Sequence, residues 1–143
     1  MRVLLVSANR EMLPSPVVPI GPLAVASALR DTHEVELTDL CFEEDPQAAI
    51  ERAVRAFDPE VIGLGLRNLH TNAYDGMERL VAGYADLVRF IRATTDVPIV
   101  LGGAAYSLQP ETLLERLGGD YGVVGEGERA FREVGRASCR ERV

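Results

Sequence analysis

The stretch from Val61 to Asn72, with the sequence VIGLGLRNLHTN, constrains the fold more than any other part of this chain. It begins as a short apolar run, preceded by Asp58-Pro59-Glu60, and turns polar at Arg67. A short, nearly continuous apolar run is typical of a strand whose two faces are both covered by helices, as in a parallel sheet. The stretch therefore predicts a central strand that ends in a polar loop.

Two glycines, Gly63 and Gly65, interrupt this predicted strand. Glycine weakens a strand, and inside one it often marks the close approach of a ligand or of another backbone. The loop that follows carries side chains able to donate hydrogen bonds: Arg67, Asn68, His70, Thr71 and Asn72. Because ligands of open α/β sheets bind beyond the carboxyl ends of the strands, we expect this loop to border a binding crevice.

Predicted strands and helices alternate along the rest of the chain. Short apolar or alternating runs predict four further strands, at Arg2–Ser7, Glu34–Leu37, Val97–Leu101 and Tyr121–Val124. Helical spacing of apolar residues lies between them, and Asp45-Pro46 has the residue types of a helix start. This order predicts a doubly wound α/β fold, flavodoxin-like or Rossmann-like, with a five-stranded parallel sheet in the order 2-1-3-4-5.

Three predicted loops and one turn should meet at the carboxyl edge of that sheet. They are the proline-containing loop Ala8–Pro22, the loop Arg67–Asn72, the loop Gly102–Ser107 and the turn Gly125–Glu128. Glycine pairs at strand ends allow a ligand to approach the backbone, although each pair alone is more typical of an ordinary strand-to-helix turn. Their shared position at one edge favours a ligand site there.

Composition excludes several classes of function. The 143 residues fit one domain, and the net charge of −7, with arginine as the only basic residue type, argues against a nucleic-acid partner. No apolar run approaches the roughly 20 residues of a membrane span, and the amino terminus is not a signal peptide, so we expect a cytoplasmic protein. Cys41 and Cys139 support neither a disulfide framework nor a metal cluster.

The common nucleotide-binding motifs are also absent. A dinucleotide-binding fold needs GxGxxG after the first strand, where this chain has ANREMLPSPVVPIG. A P-loop and a phospho-receiver domain both need a lysine, and the chain contains none. These three classes of site are therefore excluded.

The last nine residues, Gly135–Val143, match one reading frame of a widely used sequencing-adapter string. We expect them to be a non-native scar, to be set apart from the fold. Removing their three arginines and one glutamate from the 15 basic and 22 acidic residues leaves 12 and 21. The native domain is then residues 1–134, and we expect the gene to continue beyond Val134.

Five segments carry a resemblance to a known family. In chain order they read SPVVPIGPLAVASALRDTHEVELTDL, PEVIGLGLRN, VPIVLGG, LQPETLLE and DYGVVGEGERAF. Their order and spacing resemble the amino-terminal cobalamin-binding domain of cobalamin-dependent radical SAM proteins, across residues 1–134. The proline-containing loop together with Arg67-Asn68 is similar to a subgroup that includes methylases of lipids and secondary metabolites.

The chain departs from the cobalamin domains of mutases and methionine synthase. Those domains carry DxHxxG, whose histidine coordinates cobalt, whereas alignment on Gly21 places Val18 at the histidine and Pro16 at the aspartate. Their SxL motif becomes Gly65-Leu66-Arg67, while the later glycine pair is kept as Gly102-Gly103. A missing histidine is common in the radical SAM branch, so this departure favours that branch and leaves the lower cobalt ligand open.

The resemblance implies the cobalamin-binding module of a truncated radical SAM enzyme, a methyltransferase that would also use a 4Fe-4S cluster and S-adenosylmethionine in a missing radical SAM domain. This fragment alone would hold cobalamin and catalyse nothing. The corrinoid would rest on the carboxyl-edge loops, with its nucleotide tail beside the sheet. The alternative is a Rossmann-like sensor or interaction domain without corrinoid. The implied cofactor-binding residues are Asn9, Pro19, Gly21, Gly65, Arg67, Asn68, Gly102, Gly103, Gly125, Glu126 and Gly127.

Overall fold

The computed structural model describes residues 1–70 and 76–137, and the side chains within those ranges as far as Glu133. The strands are β1 (Arg2–Ser7), β2 (Glu34–Asp39), β3 (Val61–Gly65), β4 (Ile99–Gly102) and β5 (Tyr121–Gly122). The helices are α1 (Ile20–Leu29), α2 (Pro46–Phe57), α3 (Gly76–Thr94), α4 (Ala104–Leu108), α5 (Pro110–Leu117) and α6 (Gly127–Ala137), with a short 3-10 turn at Leu40–Phe42.

The five strands form one parallel sheet in the order β2-β1-β3-β4-β5. This confirms the predicted doubly wound, flavodoxin-like order. Strand β3 lies in the middle, as its continuous apolar run predicts, and β2 lies at the edge with alternating exposure. The carboxyl ends of β1, β3 and β4 are level, because Ser7 pairs with Gly65 and Gly65 pairs with Gly102.

Helices cover both faces of the sheet. One face, here called the α2–α3 face, presents strand residues such as Val6, Ile62 and Leu101 to the main hydrophobic core beneath α2, α3 and α5. The other, here called the α1–α6 face, presents Leu5 and Val100 to a second apolar cluster beneath α1 and α6. Successive residues of a strand alternate between these faces, which decides the position of every side chain near the site.

Local capping agrees with the sequence at two helices. The Asp45 side chain accepts hydrogen bonds from the backbone N–H groups of Gln47 and Ala48, both at 3.0 Å, and so caps α2. Helix α5 ends at Gly118, whose φ of +75° is the left-handed conformation that glycine adopts most easily. Cys41 is a free, buried cysteine and packs as a small apolar side chain.

The structure corrects several boundaries. Strand β2 extends to Asp39 rather than ending at Leu37, and β4 runs from Ile99 to Gly102 rather than from Val97 to Leu101. The predicted loop Ala8–Pro22 is shorter than expected, because helix α1 begins at Ile20. Pro22 lies in the first turn of that helix, where its missing N–H costs no hydrogen bond. Strand β5 has only two residues, although the Val123 N–H still bonds the Leu101 carbonyl at 2.8 Å. The predicted loop Gly102–Ser107 instead begins the short helix α4. No helix in the described residues is long and apolar enough to cross a membrane.

Candidate functional site

Three glycines lie next to one another on the α1–α6 face of the sheet. Gly63 and Gly65 are two residues apart in β3, and Gly102 pairs with Gly65 from β4. Leu5 of β1 and Val100 of β4 are the paired neighbours of Gly63, two residues further from the carboxyl edge than Gly65 and Gly102. Because no side chain projects from the three glycines, the sheet surface is recessed there.

A cavity of about 430 Å³ occupies this recess between the sheet and helices α1 and α6. It is lined by residues of β1, β3 and β4, of both helices, and of the turns at the carboxyl edge. Seven of the eleven predicted cofactor-binding residues are among them: Gly21, Gly65, Gly102, Gly103, Gly125, Glu126 and Gly127. The structure therefore brings together residues that are more than 100 positions apart in sequence.

Several of these glycines are needed by the chain itself. A Cβ on Gly103 would lie 2.5 Å from the Leu66 carbonyl oxygen, and its φ of +98° with ψ of 176° is accessible almost only to glycine. A Cβ on Gly65 would lie 3.0 Å from Pro22 Cγ, and one on Gly127 would lie 2.9 Å from Val25 Cγ2. For these positions packing explains the glycine without any ligand.

Gly21 and Gly102 are different, because neither packing nor backbone conformation requires a glycine there. A Cβ on Gly21 would have no neighbour within 4 Å, and one on Gly102 would make only ordinary contacts, at 3.8 Å or more. Neither has a positive φ. Gly125 also has open space around it, but its φ of +77° explains its identity. Gly21 and Gly102 are therefore the glycines whose missing side chains leave space for something other than protein.

Four predicted residues lie outside the cavity wall. Pro19 is half-buried and precedes α1, while Arg67 is exposed and Asn68 is half-buried in the loop after β3. Thr71 and Asn72 of that loop lie outside the described residues, and His70 is exposed. The described part of the loop, Arg67–His70, thus lies at the carboxyl edge, as predicted, but none of these four residues lines the recess below.

Asn9 is the fourth of these residues, and its environment is unusual. Its side chain is only 4% exposed, and its Nδ2 atom has no hydrogen-bond partner in the described part of the chain. The Oδ1 atom accepts a bond from the Glu11 N–H at 3.4 Å. A buried donor without a partner is costly and rare, so this amide is suited to meet an acceptor from a ligand.

Two polar residues that sequence reasoning missed fix the edge loops. The Tyr84 hydroxyl of α3 donates to the Asn68 carbonyl at 2.8 Å, and burial raises the pKa of Tyr84. The Ser107 hydroxyl donates to the Gly103 carbonyl at 3.0 Å and accepts from the Gly125 N–H at 2.9 Å. Ser107 therefore connects the loop after β4 to the turn after β5. In the sequence, the helical spacing of Tyr84 indicates only that it faces the core, and it gives no sign of this hydrogen bond.

The described residues contain no group of three or more His, Cys, Asp or Glu that could hold a metal ion. What the arrangement offers is a mostly apolar recess with polar groups at its mouth. Such a recess is suited to bind a ligand that has a polar end and an apolar end.

The family model for the B12 binding domain matches residues 7–135, and the chain belongs to that family.

Two curated proteins are similar to this chain. A tryptophan 2-C-methyltransferase of Streptomyces laurentii is 29% identical over 131 residues, and an uncharacterized methyltransferase of Pyrococcus horikoshii is 30% identical over 141. The matches cover 90% and 94% of this chain but only 22% and 28% of those proteins. The chain thus spans about a quarter of the length of the relatives that it matches.

Solved structures agree. The radical S-adenosylmethionine methyltransferase TsrM from Kitasatospora setae, with cobalamin and a [4Fe-4S] cluster bound, superimposes with a TM-score of 0.89 at 32% identity, covering 99% of this chain and 25% of that one. The amino-terminal domain of the lantibiotic response regulator NsrR matches with a TM-score of 0.58 at 11% identity, which shows a shared fold only.

Proposed function

We propose that this chain binds cobalamin at the carboxyl edge of its sheet, and that it is the cobalamin-binding part of a longer radical SAM methyltransferase. The family match, the methyltransferase relatives and the likeness to TsrM support this proposal. The observation that carries it is the recess beneath Gly21 and Gly102, which opens at the edge where such sheets bind ligands.

The residues present fit a corrinoid in two respects. The recess has space where Gly21 and Gly102 lack side chains, so a ligand can reach the sheet without displacing protein atoms. The Asn9 Nδ2 atom is a buried donor without a partner, and the amide side chains around a corrin ring carry carbonyl acceptors. The unfilled space and the unpaired amide are both unfavourable in the free protein, and a bound ligand would offset them.

The edge residues would divide the work of binding. Arg67 and Asn68 would donate hydrogen bonds to corrin amides or to the tail phosphate, and Glu126 would accept from the amide N–H groups. Tyr84 would hold the backbone at Asn68 through the bond to its carbonyl, and Ser107 would fix the shape of the glycine turns. When bound in methylated form, cobalamin would supply a methyl group.

The methyl transfer itself would need groups that lie outside this chain. We propose that the longer protein supplies a 4Fe-4S cluster and S-adenosylmethionine in a radical SAM domain. The proposal includes the expectation that residues 135–143 are not native, which an independent read of the source DNA across the Val134 codon tests. The cytoplasmic location and the lack of a nucleic-acid partner stay predictions from sequence.

Hydroxocobalamin binding tests the proposal. The purified chain, mixed with hydroxocobalamin and passed through gel filtration, should elute with the red corrin absorbance. Gly102→Val should weaken binding at least tenfold while the thermal unfolding temperature stays close to that of the wild type, because its Cβ meets only ordinary contacts and its methyl groups enter the recess.

Gly83→Val is the matched control. Gly83 also has no atom within 4 Å of its ideal Cβ, but it is exposed on α3, against the opposite face of the sheet. This variant should bind hydroxocobalamin as the wild type does. A colourless wild-type protein would favour the alternative, a Rossmann-like sensor or interaction domain, and equal binding by Gly102→Val would place the site elsewhere.

A further inference from the structure

Helix α3 contacts two of the loops that carry polar side chains at the carboxyl edge. Its apolar side, which includes Val81, Val88 and Ile91, is fully or almost fully buried in the main core, so the helix is fixed against the sheet. Two polar side chains near the start of the helix extend to the loops. Tyr84 bonds the loop after β3, and Arg79 bonds the loop after β1.

The hydrogen bond from Tyr84 is buried. This residue is 5% exposed, and its hydroxyl donates to the Asn68 carbonyl oxygen at 2.8 Å. Burial raises the pKa of Tyr84, so the hydroxyl keeps its proton and remains a donor at neutral pH. The Glu11 carboxylate also raises this pKa and the Arg67 guanidinium lowers it, because charged groups of both loops lie near the hydroxyl.

Arg79 contacts the other loop through Glu11. Its guanidinium lies 3.4 Å from a carboxylate oxygen of Glu11, and the backbone N–H of Glu11 donates to Asn9 Oδ1, also at 3.4 Å. The bond from Glu11 uses the acceptor of the Asn9 amide, and the donor, Nδ2, has no partner among the described residues. Both distances are long and the ion pair is partly exposed, so this contact is weaker than the one from Tyr84.

Close packing does not replace these two contacts. A groove of about 330 Å³ lies between α2, α3 and the loop after β1, and Glu11, Arg79 and Tyr84 are among the residues that line it. The groove opens to solvent on the outer side of the core, where Arg79 is exposed. The loop after β1 is therefore joined to α3 by polar groups and not by tightly packed apolar side chains.

We propose that Arg79 and Tyr84 are positioning residues for cobalamin, and that they fix the two edge loops so that Asn9 and Asn68 can donate to the cofactor together. This inference rests on the proposed cobalamin function and deepens it. Neither Arg79 nor Tyr84 lines the recess, so both would act through the loops. Loops that are ordered before binding lose less conformational entropy when the cofactor binds, which raises the affinity.

Equilibrium dialysis of the full chain Met1–Val143 with hydroxocobalamin tests the role of Tyr84. Tyr84→Phe removes the hydroxyl and keeps the ring, and it should weaken binding about threefold to tenfold. If Tyr84 acts through Asn68, the double variant Tyr84→Phe/Asn68→Ala should bind no more weakly than Asn68→Ala alone. A general loss of stability would instead make the two effects add.

Tyr106→Phe is the matched control. Tyr106 is a tyrosine of the same core, 2% exposed, but its hydroxyl lies against Gly122 of β5 and not against either loop. This variant should bind hydroxocobalamin as the wild type does.

A second cycle tests Arg79. Arg79→Met should weaken binding about twofold to threefold, and Arg79→Lys, which keeps a charge for Glu11, should restore most of the affinity. In an Asn9→Ala chain, Arg79→Met should have no further effect. The matched control is Arg89→Met, because Arg89 is also an exposed arginine of α3 but pairs with Asp86 and not with a loop.

Additive losses in either cycle, or wild-type affinity in both Tyr84→Phe and Arg79→Met, would overturn the inference while leaving cobalamin binding in place. If Tyr84→Phe does not fold, the cycle of Arg79 with Asn9 decides, because Arg79 is exposed and its replacement leaves the core intact. Failure of the wild-type chain to bind hydroxocobalamin would instead overturn the proposed function, and this inference with it.

Discussion

The two faces of this sheet differ in how completely they are packed, although the same strands supply both. On the α2–α3 face, Val6, Ile62 and Leu64 are fully or almost fully buried beneath α2, α3 and α5. On the α1–α6 face, the positions beside them in sequence include Gly63 and Gly65, and a cavity lies between the sheet and its helices. The α2–α3 face is fully packed, whereas the α1–α6 face has a cavity near the carboxyl edge of the sheet.

Because of this difference, neighbouring residues of one strand can contribute separately to the stability of the fold and to ligand binding. Residues that alternate along β3 serve different purposes, because Ile62 and Leu64 fill the core of one face, whereas Gly63 and Gly65 let Phe131 and Pro22 approach the strand closely beside the cavity. The recess is open at the carboxyl edge and mostly apolar, which is the form that small-molecule sites commonly take. Substitutions at neighbouring positions should therefore damage different properties of the protein.

The largest contrast is expected at the adjacent glycines Gly102 and Gly103. Gly103→Ala should cost more than about 3 kcal/mol of unfolding free energy, because its backbone conformation is almost exclusive to glycine and its Cβ would overlap the Leu66 carbonyl. Gly102→Ala should change the free energy of unfolding little, because its Cβ would face the recess. Urea unfolding followed by circular dichroism measures both values.

Gly118→Ala provides the control for conformation alone. Gly118 also has a positive φ, of +75°, but a Cβ there would meet no atom within 4 Å. Gly118→Ala should lower the free energy of unfolding by about 1–2 kcal/mol. This loss is smaller than that expected for Gly103→Ala, because Gly118→Ala creates no steric overlap. If Gly103→Ala were no worse than Gly118→Ala, the close contact with Leu66 would not be a constraint on the fold.

Much of the fold could be predicted because it follows from local patterns. Each of three short patterns predicts one element from a few residues. They are the apolar run at Val61–Gly65, the alternation after Glu34 and the helix cap at Asp45. Chirality rules then give the strand order. Helix α4 was missed because its five residues, Ala104–Leu108, are too few to show a helical period before Pro110.

The site could be predicted only in part. The glycines of the carboxyl edge were found because strand ends meet there, and the period of two could also have placed Gly63 and Gly65 on one face. Sequence could not show that Gly103 is required by the Leu66 backbone while Gly102 faces open space. It also could not show Phe131 against Gly63, because that contact joins residues 68 positions apart.

The smaller contrast concerns one substitution made on each face. Val6→Ala on the α2–α3 face should lower the free energy of unfolding by about 2–3 kcal/mol, because two buried carbons are lost from a filled core. Val100→Ala on the α1–α6 face should lower it by only about 1 kcal/mol, because part of the Val100 side chain already borders empty space. Chemical denaturation of both variants gives the difference directly.

Ligand binding should reverse this order. Val6 does not line the recess, so Val6→Ala should retain hydroxocobalamin with wild-type affinity at temperatures where it is folded. Val100→Ala widens the recess and removes contacts with whatever occupies it, so its affinity should fall about threefold to tenfold. Bound cobalamin should accordingly stabilise the wild-type chain more than it stabilises Val100→Ala, as the shift in unfolding temperature with ligand concentration reports. Equal losses of unfolding free energy in Val6→Ala and Val100→Ala would mean that the α1–α6 face is packed as tightly as the α2–α3 face. The recess would then not be a binding site.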